Sequence, residues 1–97
     1  MSEVLILEFD GATKAQYDQV NDILGVDMQT GTGDVPPGLQ SHTGAARDGG
    51  FTVVEIWESQ QAARDFMDDR LGAALGKAGL PQPRRAEWME LAGHMEA

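Results

Sequence analysis

The 97-residue chain has no cysteine, which excludes a disulfide framework, a zinc–thiolate centre and a thiol nucleophile. Basic residues are scarce: seven Lys and Arg against sixteen Asp and Glu give a formal net charge of −9. Such a surface is repelled by a phosphate backbone, and the one adjacent basic pair, Arg84-Arg85, is too small a footprint to reverse that, so nucleic acid is not an expected partner. No apolar run approaches the roughly 20 residues of a membrane helix, so no membrane association is expected. The N-terminal MSEVLILEFDG lacks a basic segment and is apolar only over a strand's length, so it does not read as a signal peptide, and a cytoplasmic protein is expected. A nucleophile elbow, a dinucleotide fingerprint and a zinc signature are all missing. Hydride transfer from a bound nicotinamide is therefore not expected.

What is present suits one domain over residues 1–97, with an apolar fraction of 41 %. A core this small gains from pairing with a second copy. Residues 3–9 form a short, nearly continuous apolar run, as in a central strand covered on both faces. Residues 13–24 predict a helix: Thr13 and Gln16 have capping-box spacing, Tyr17, Val20, Ile23 and Leu24 form one stripe, and Gly25 follows as a C-cap. Residues 25–37 are a glycine- and proline-rich loop, either a lid or rim, or a passive crossover. Gly31-Thr32-Gly33 lacks the lysine and the strand–helix context of a phosphate loop.

Residues 38–58, GLQSHTGAARDGGFTVVEIWE, predict two strands joined by a turn at Asp48-Gly49-Gly50. On the second strand Phe51, Val53, Glu55 and Trp57 alternate with Thr52, Val54, Ile56 and Glu58, so both faces carry bulky apolar groups. Ser59 caps a helix over roughly 60–78 with a stripe of Ala63, Phe66, Met67, Leu71, Ala74, Leu75 and Ala78, stopped at Gly79-Leu80-Pro81. Arg64, Asp65, Asp68, Asp69 and Arg70 read as its solvated face. Residues 84–93 read as a last strand, with a helix over residues 86–97, AEWMELAGHMEA, as the rival.

The order β-α-β-β-α-β is the ferredoxin-like, split βαβ arrangement: an α+β fold with a four-stranded antiparallel sheet and both helices on one face. Residue chemistry suggests that Leu5, Leu7, Phe9, Val54, Ile56, Met89 and Leu91 lie under the helices. Val4, Ile6, Glu8, Phe51, Val53, Glu55, Trp57, Trp88 and Glu90 would then form the bare face, joined by Gln40 and His42 and, if the last strand extends, by His94. A bare face of that size predicts a two-fold homodimer closing around a cavity.

The β-α-β-β-α-β length, the PPGLQSHTG segment at 36–44 and GGFTVVEIWESQQAARDFMDDRLGAAL at 49–75 resemble the dimeric α+β barrel superfamily. That superfamily includes antibiotic-biosynthesis-type monooxygenases, haem-degrading monooxygenases and stress-responsive barrel proteins. The resemblance implies a homodimeric barrel and, in the monooxygenase branch, a substrate that activates oxygen without a cofactor. That branch often uses a first-strand asparagine and a pocket tryptophan. Here Glu8 and Asp10 stand near the first position, the single asparagine is Asn21 on a helix, and Trp57 or Trp88 can fill the second role. The haem-degrading branch places its histidine on a helix, and neither predicted helix here contains one.

Candidate chemistry rests on few residues. His42 is a candidate general base or haem-iron ligand, against a purely structural strand histidine. Glu55 is the candidate catalytic carboxylate beside it. Glu8 and Glu90 are candidate pocket carboxylates, against pairing with Arg47, Arg84 or Arg85. Trp57 and Trp88 are candidates for stacking on a planar cofactor or ligand, against interface core. His94 is a second candidate ligand, against a frayed terminal residue. Ile6, Gln40, Phe51 and Val53 complete the expected pocket, and Tyr17 reads as core. Three functions follow: a monooxygenase-like oxidoreductase acting on a planar apolar molecule; a haem-binding barrel with peroxidase-like reactivity; or a non-enzymatic dimeric binding module.

Overall fold

Residues 2–97 are described by the computed structural model. β1 (Glu3–Asp10) is the central apolar run, and Leu5 and Leu7 on it are almost wholly buried. Each such side chain contributes about 1.5–3 kcal/mol through burial. α1 (Lys14–Leu24) starts at Thr13, whose side chain accepts from the Gln16 backbone while Gln16 reaches back to the Thr13 backbone, the reciprocal capping box. It ends at Gly25, whose φ of 76° is left-handed and whose N–H returns to the last carbonyls of the helix.

Two short strands, β2 (Val26–Asp27) and β3 (Thr32–Gly33), make a small hairpin inside the long loop. β4 (Leu39–Arg47) and β5 (Gly50–Trp57) pair around Asp48-Gly49, with Arg47 opposite Gly50. Ser59 caps α2 (Gln60–Phe66), which runs through a π-helical stretch, Met67–Leu71, into α3 (Gly72–Lys77) without leaving helical dihedrals. β6 (Arg85–Glu90) is the last element and is a strand, not the rival helix.

The main sheet has the order β4-β5-β1-β6, all neighbours antiparallel. This is the ferredoxin-like α+β fold, with α1 and the α2–α3 rod on one side of the sheet. No described helix is long and apolar enough to cross a membrane.

The register corrects the expected division of faces. Leu5, Leu7 and Phe9 lie opposite Glu55, Val53 and Phe51 on β5, and Leu5 lies opposite Trp88 on β6. Directly opposed residues of an antiparallel pair share a face. The helix-covered face therefore carries Phe51, Val53, Glu55, Trp57 and His42. Val54, Ile56 and Met89 belong with Val4, Ile6 and Glu8 on the face away from the helices. Alternation sorts each strand into two sets, but only register decides which sets of neighbouring strands coincide. A polar group need not mark the bare face when it finds a buried partner, and Glu55 finds two.

Candidate functional site

Glu55 is the anchor. It is 4 % exposed, and its two carboxylate oxygens are divided between two neighbours. Oε1 accepts from the Trp57 indole Nε1 at 3.0 Å, and Oε2 lies 2.6 Å from His42 Nδ1. Strand geometry sets up both contacts. Glu55 and Trp57 are two residues apart on one face of β5, and His42 is the cross-strand partner of Glu55 on β4. A buried carboxylate is tolerated because it is paired and hydrogen-bonded.

The second nitrogen of the His42 ring, Nε2, lies 2.6 Å from the Tyr17 hydroxyl oxygen. A carboxylate only accepts, so Nδ1 carries a proton toward Glu55; in the neutral ring Nε2 is then the acceptor and the Tyr17 hydroxyl donates to it. The four side chains thus form one relay, Trp57–Glu55–His42–Tyr17, ending at a phenol. Tyr17 stacks on Phe51 with ring centroids 4.6 Å apart. Burial pushes the Tyr17 hydroxyl above its ordinary value of 10.0; the neighbouring Asn21 side chain acts in the opposite direction, and the charges of Glu55 and Asp18 add to the rise. Gly44 makes the close approach possible, since a Cβ there would sit 2.5 Å from Tyr17 Cζ.

Tyr17, His42 and Glu55 open onto a cavity of about 80 Å³ between α1, the α2–α3 rod and the sheet. Its wall is otherwise almost all apolar: Leu7, Phe9, Val20, Leu24, Phe51, Val53, Phe66, Leu71, Leu75 and Leu80. Asn21 is the remaining polar lining residue. Val26, Met28 and Pro36 bring the long loop to the wall, so residues 25–37 form part of the cavity's boundary. Arg70, expected on the solvated helix face, instead donates through Nη2 to the carbonyls of Leu24 (2.9 Å) and Asp34 (2.7 Å), tying that loop to the π-helical stretch.

Of the residues expected to line a pocket, His42, Glu55, Phe51 and Val53 do line this one. Ile6 and Glu8 lie on the opposite face, and the Glu8 carboxylate pairs with Arg84 at 3.3 Å and Arg85 at 3.4 Å. Gln40 sits at a register irregularity of β4, is exposed and accepts from Ser2 Oγ at 2.7 Å. Glu90 is exposed at the end of edge strand β6. Trp57 is 0 % exposed and tilts against Phe66, so no planar ligand can stack on it. Trp88 packs half-buried against the core and does not line the cavity. His94 lies beyond β6, exposed, with Nε2 2.9 Å from Glu96. Tyr17 and Asn21 were the missed residues. The stripe shows Tyr17 facing inward, but only the pairing of β4 with β5 brings His42 beneath it.

The same contacts argue against haem. An axial ligand needs a free ring nitrogen, and both nitrogens of His42 are engaged inside the fold. His94 is outside the cavity. No group of three or more His, Asp or Glu side chains suited to a metal ion occurs among the described residues.

No protein-family model and no curated protein matches the chain. Solved structures do match over nearly all of it. A Chloroflexus aurantiacus protein assigned as an antibiotic biosynthesis monooxygenase superposes with a TM-score of 0.63 at 18 % identity, covering 98 % of each chain. SnoaB, a cofactor-independent oxygenase from Streptomyces nogalater, superposes at 0.65 with 9 % identity over 99 % of this chain and 98 % of its own. Rv0793 from Mycobacterium tuberculosis superposes at 0.57 with 18 % identity over 100 % and 99 %. At these identities the likeness is one of fold, and the fold of this chain is that of the antibiotic biosynthesis monooxygenase-like proteins, the resemblance its sequence carries.

Proposed function

We propose that this protein is a monooxygenase-type oxidoreductase acting on a planar, mostly apolar, ring-hydroxylated molecule held between α1 and the sheet. The observation that carries the reading is the Glu55–His42–Tyr17 relay ending in an apolar cavity. His42 is the base and acts through Tyr17. The substrate hydroxyl gives its proton to the Tyr17 oxygen while Tyr17 passes its own to His42 Nε2. Glu55 stabilises the imidazolium that forms. The ring anion is the reductant for dioxygen. A C–O bond forms at a ring carbon and the O–O bond breaks. One oxygen atom stays as a carbonyl, and the other leaves as water with the hydrogen of that carbon and the proton held on His42. The product has gained one oxygen and lost two hydrogens. SnoaB, which shares the fold, is described as cofactor-independent, and a substrate that is its own reductant fits that description.

The homodimer belongs to the same reading. The sheet face away from the helices presents Val4, Ile6, Val54 and Met89, with Val54 38 % and Met89 41 % exposed. A second copy of this face is the simplest cover.

The test is oxygen uptake with a panel of naphthols and other hydroxylated planar aromatics, with products read by mass. Turnover that falls about 10²–10⁴-fold in both Tyr17→Phe and His42→Ala is expected. Turnover unchanged in either variant sinks the relay.

A further inference from the structure

Met28 is the one residue of the cavity wall that is also exposed to solvent, at 40 %; every other lining residue is buried or half-buried. The cavity meets the outside at this side chain. Its Sδ rests 3.8 Å from the Tyr17 hydroxyl oxygen. That hydroxyl gives its proton to His42, so the sulfur packs over the phenol without taking a hydrogen bond from it. The backbone around Met28 is held. Val26 and Asp27 pair with Gly33 and Thr32, and Asp27 Oδ1 accepts from the Gln29 and Thr30 backbones at 2.9 and 3.3 Å. Arg70 grips the Leu24 and Asp34 carbonyls on either side of this hairpin. What is free to move is the side chain, unbranched and with three rotatable bonds.

Size makes that movement necessary. Benzene takes a cavity of about 150 Å³, and this one has about 80 Å³. A planar ring enters only if the wall yields. Turning Met28 out to solvent vacates up to about 90 Å³, taking a water's share of about 30 Å³ for each of the three atoms beyond Cβ. The same turn uncovers the Tyr17 oxygen. We infer that Met28 is the gate of the cavity: its thioether closes the mouth over Tyr17 in the unliganded protein and swings out to admit a planar ring, whose hydroxyl then meets the phenol. This rests on the cavity being the ligand site, as in the reading above. Closed, the side chain keeps part of its apolar surface from water, so the open form is the minor one by about tenfold. A ligand that requires the open form binds more weakly by that factor.

The probe is 1-naphthol, kept under nitrogen so that it is not consumed. Its association is followed by stopped-flow fluorescence on the wild type and on Met28→Ala, where removal of the gate is expected to raise the association rate constant about tenfold. Gate position is read separately, by treating the wild type with dilute hydrogen peroxide, with and without saturating naphthol, and measuring sulfoxide at each methionine by peptide mass. Met95, 86 % exposed, is the internal reference. Oxidation follows exposure, so the Met28 rate relative to Met95 is expected to rise about twofold when naphthol is bound. A Met28 rate that falls or stays level while naphthol binds shows a fixed wall and overturns the gate, leaving the cavity reading intact. So does an association rate unchanged in Met28→Ala. Naphthol binding to Met28→Ala alone supports the gate, as a higher barrier in the wild type. Binding to neither protein overturns the cavity reading and the gate with it.

Discussion

Gly44 offers the sharpest test of the site because its effect is set by geometry. A Cβ there would stand 2.5 Å from Tyr17 Cζ and 2.7 Å from its hydroxyl oxygen. Ordinary contact needs about 3.5 Å, so Gly44→Ala must drive the ring away by about 1 Å. The 2.6 Å bond to His42 then stretches to about 3.6 Å, past the limit of a hydrogen bond. Overpacking costs about 1–3 kcal/mol and the loss of glycine's chain freedom returns about 0.5–1, leaving a net loss of up to about 2.5 kcal/mol. That corresponds to a melting temperature lower by up to about 20 °C. Tyr17 is the single tyrosine of the chain, so a phenolate absorbance titration reads it alone. In Gly44→Ala its pKa should move back down toward 10, because a displaced ring loses part of the burial that raises it. Oxygen uptake should fall toward the level of Tyr17→Phe. The control is a double-mutant cycle with Tyr17→Leu, in which the added methyl has no ring to strike and becomes neutral or stabilising. The reasoning is refuted if Gly44→Ala destabilises the Tyr17→Leu background as much as the wild type, or if the tyrosine titration does not move.

Alkaline stability follows from the same phenol. The unfolded chain ionises Tyr17 near 10.0 and the folded chain above it, so between those values the unfolded state binds fewer protons and stability falls as pH rises. Chemical denaturation across that window should show a steeper decline in the wild type than in Tyr17→Phe. Glu55→Gln keeps the shape but turns an acceptor toward His42 into an amide. With the amide oxygen on Trp57, its N–H faces Nδ1 and forces the proton onto Nε2, so Tyr17 can no longer donate; uptake should fall about 10²–10⁴-fold with the fold intact. Trp57→Phe strands one Glu55 oxygen and trims a fully buried ring, and denaturant titration should show a loss of about 2–3 kcal/mol. Val54→Lys and Met89→Lys should shift the proposed dimer to monomer in light scattering without loss of helical circular dichroism, because both side chains lie on the uncovered face.

Local chemistry made most of the fold legible. The Thr13–Gln16 box, the Gly25 cap and Ser59 each mark a helix end that the structure places where the spacing does. The alternation of residues 51–57 marks β5. The short strands β2 and β3 carried no signal, being two residues each, and the π-helical stretch reads in sequence as ordinary helix. The site was half legible. His42 and Glu55 stand out as a histidine and a carboxylate in strands, but they were placed on the uncovered face. Leu5, Leu7 and Phe9 seemed to belong with Val54 and Ile56 because like prefers like; register joins them to Glu55 because the carboxylate takes its partners indoors. Tyr17 and Asn21 could not be found from α1 alone, since what distinguishes them is what lies across from them.

The tight turn at Asp48-Gly49 has a bearing on how this chain can change length. β5 carries inner and outer residues in strict alternation, Phe51, Val53 and Glu55 toward the cavity and Thr52, Val54 and Ile56 away from it. β4 is tied to it through Arg47 opposite Gly50. A single residue inserted within β4 between His42 and the turn, with pairing from the turn kept, moves His42 to the outer face and away from both Glu55 and Tyr17. Two inserted residues restore the face but carry the imidazole one pleat along the strand. Insertions there are therefore closed to this protein by parity, whereas the loop between α1 and β4 can lengthen without touching the relay.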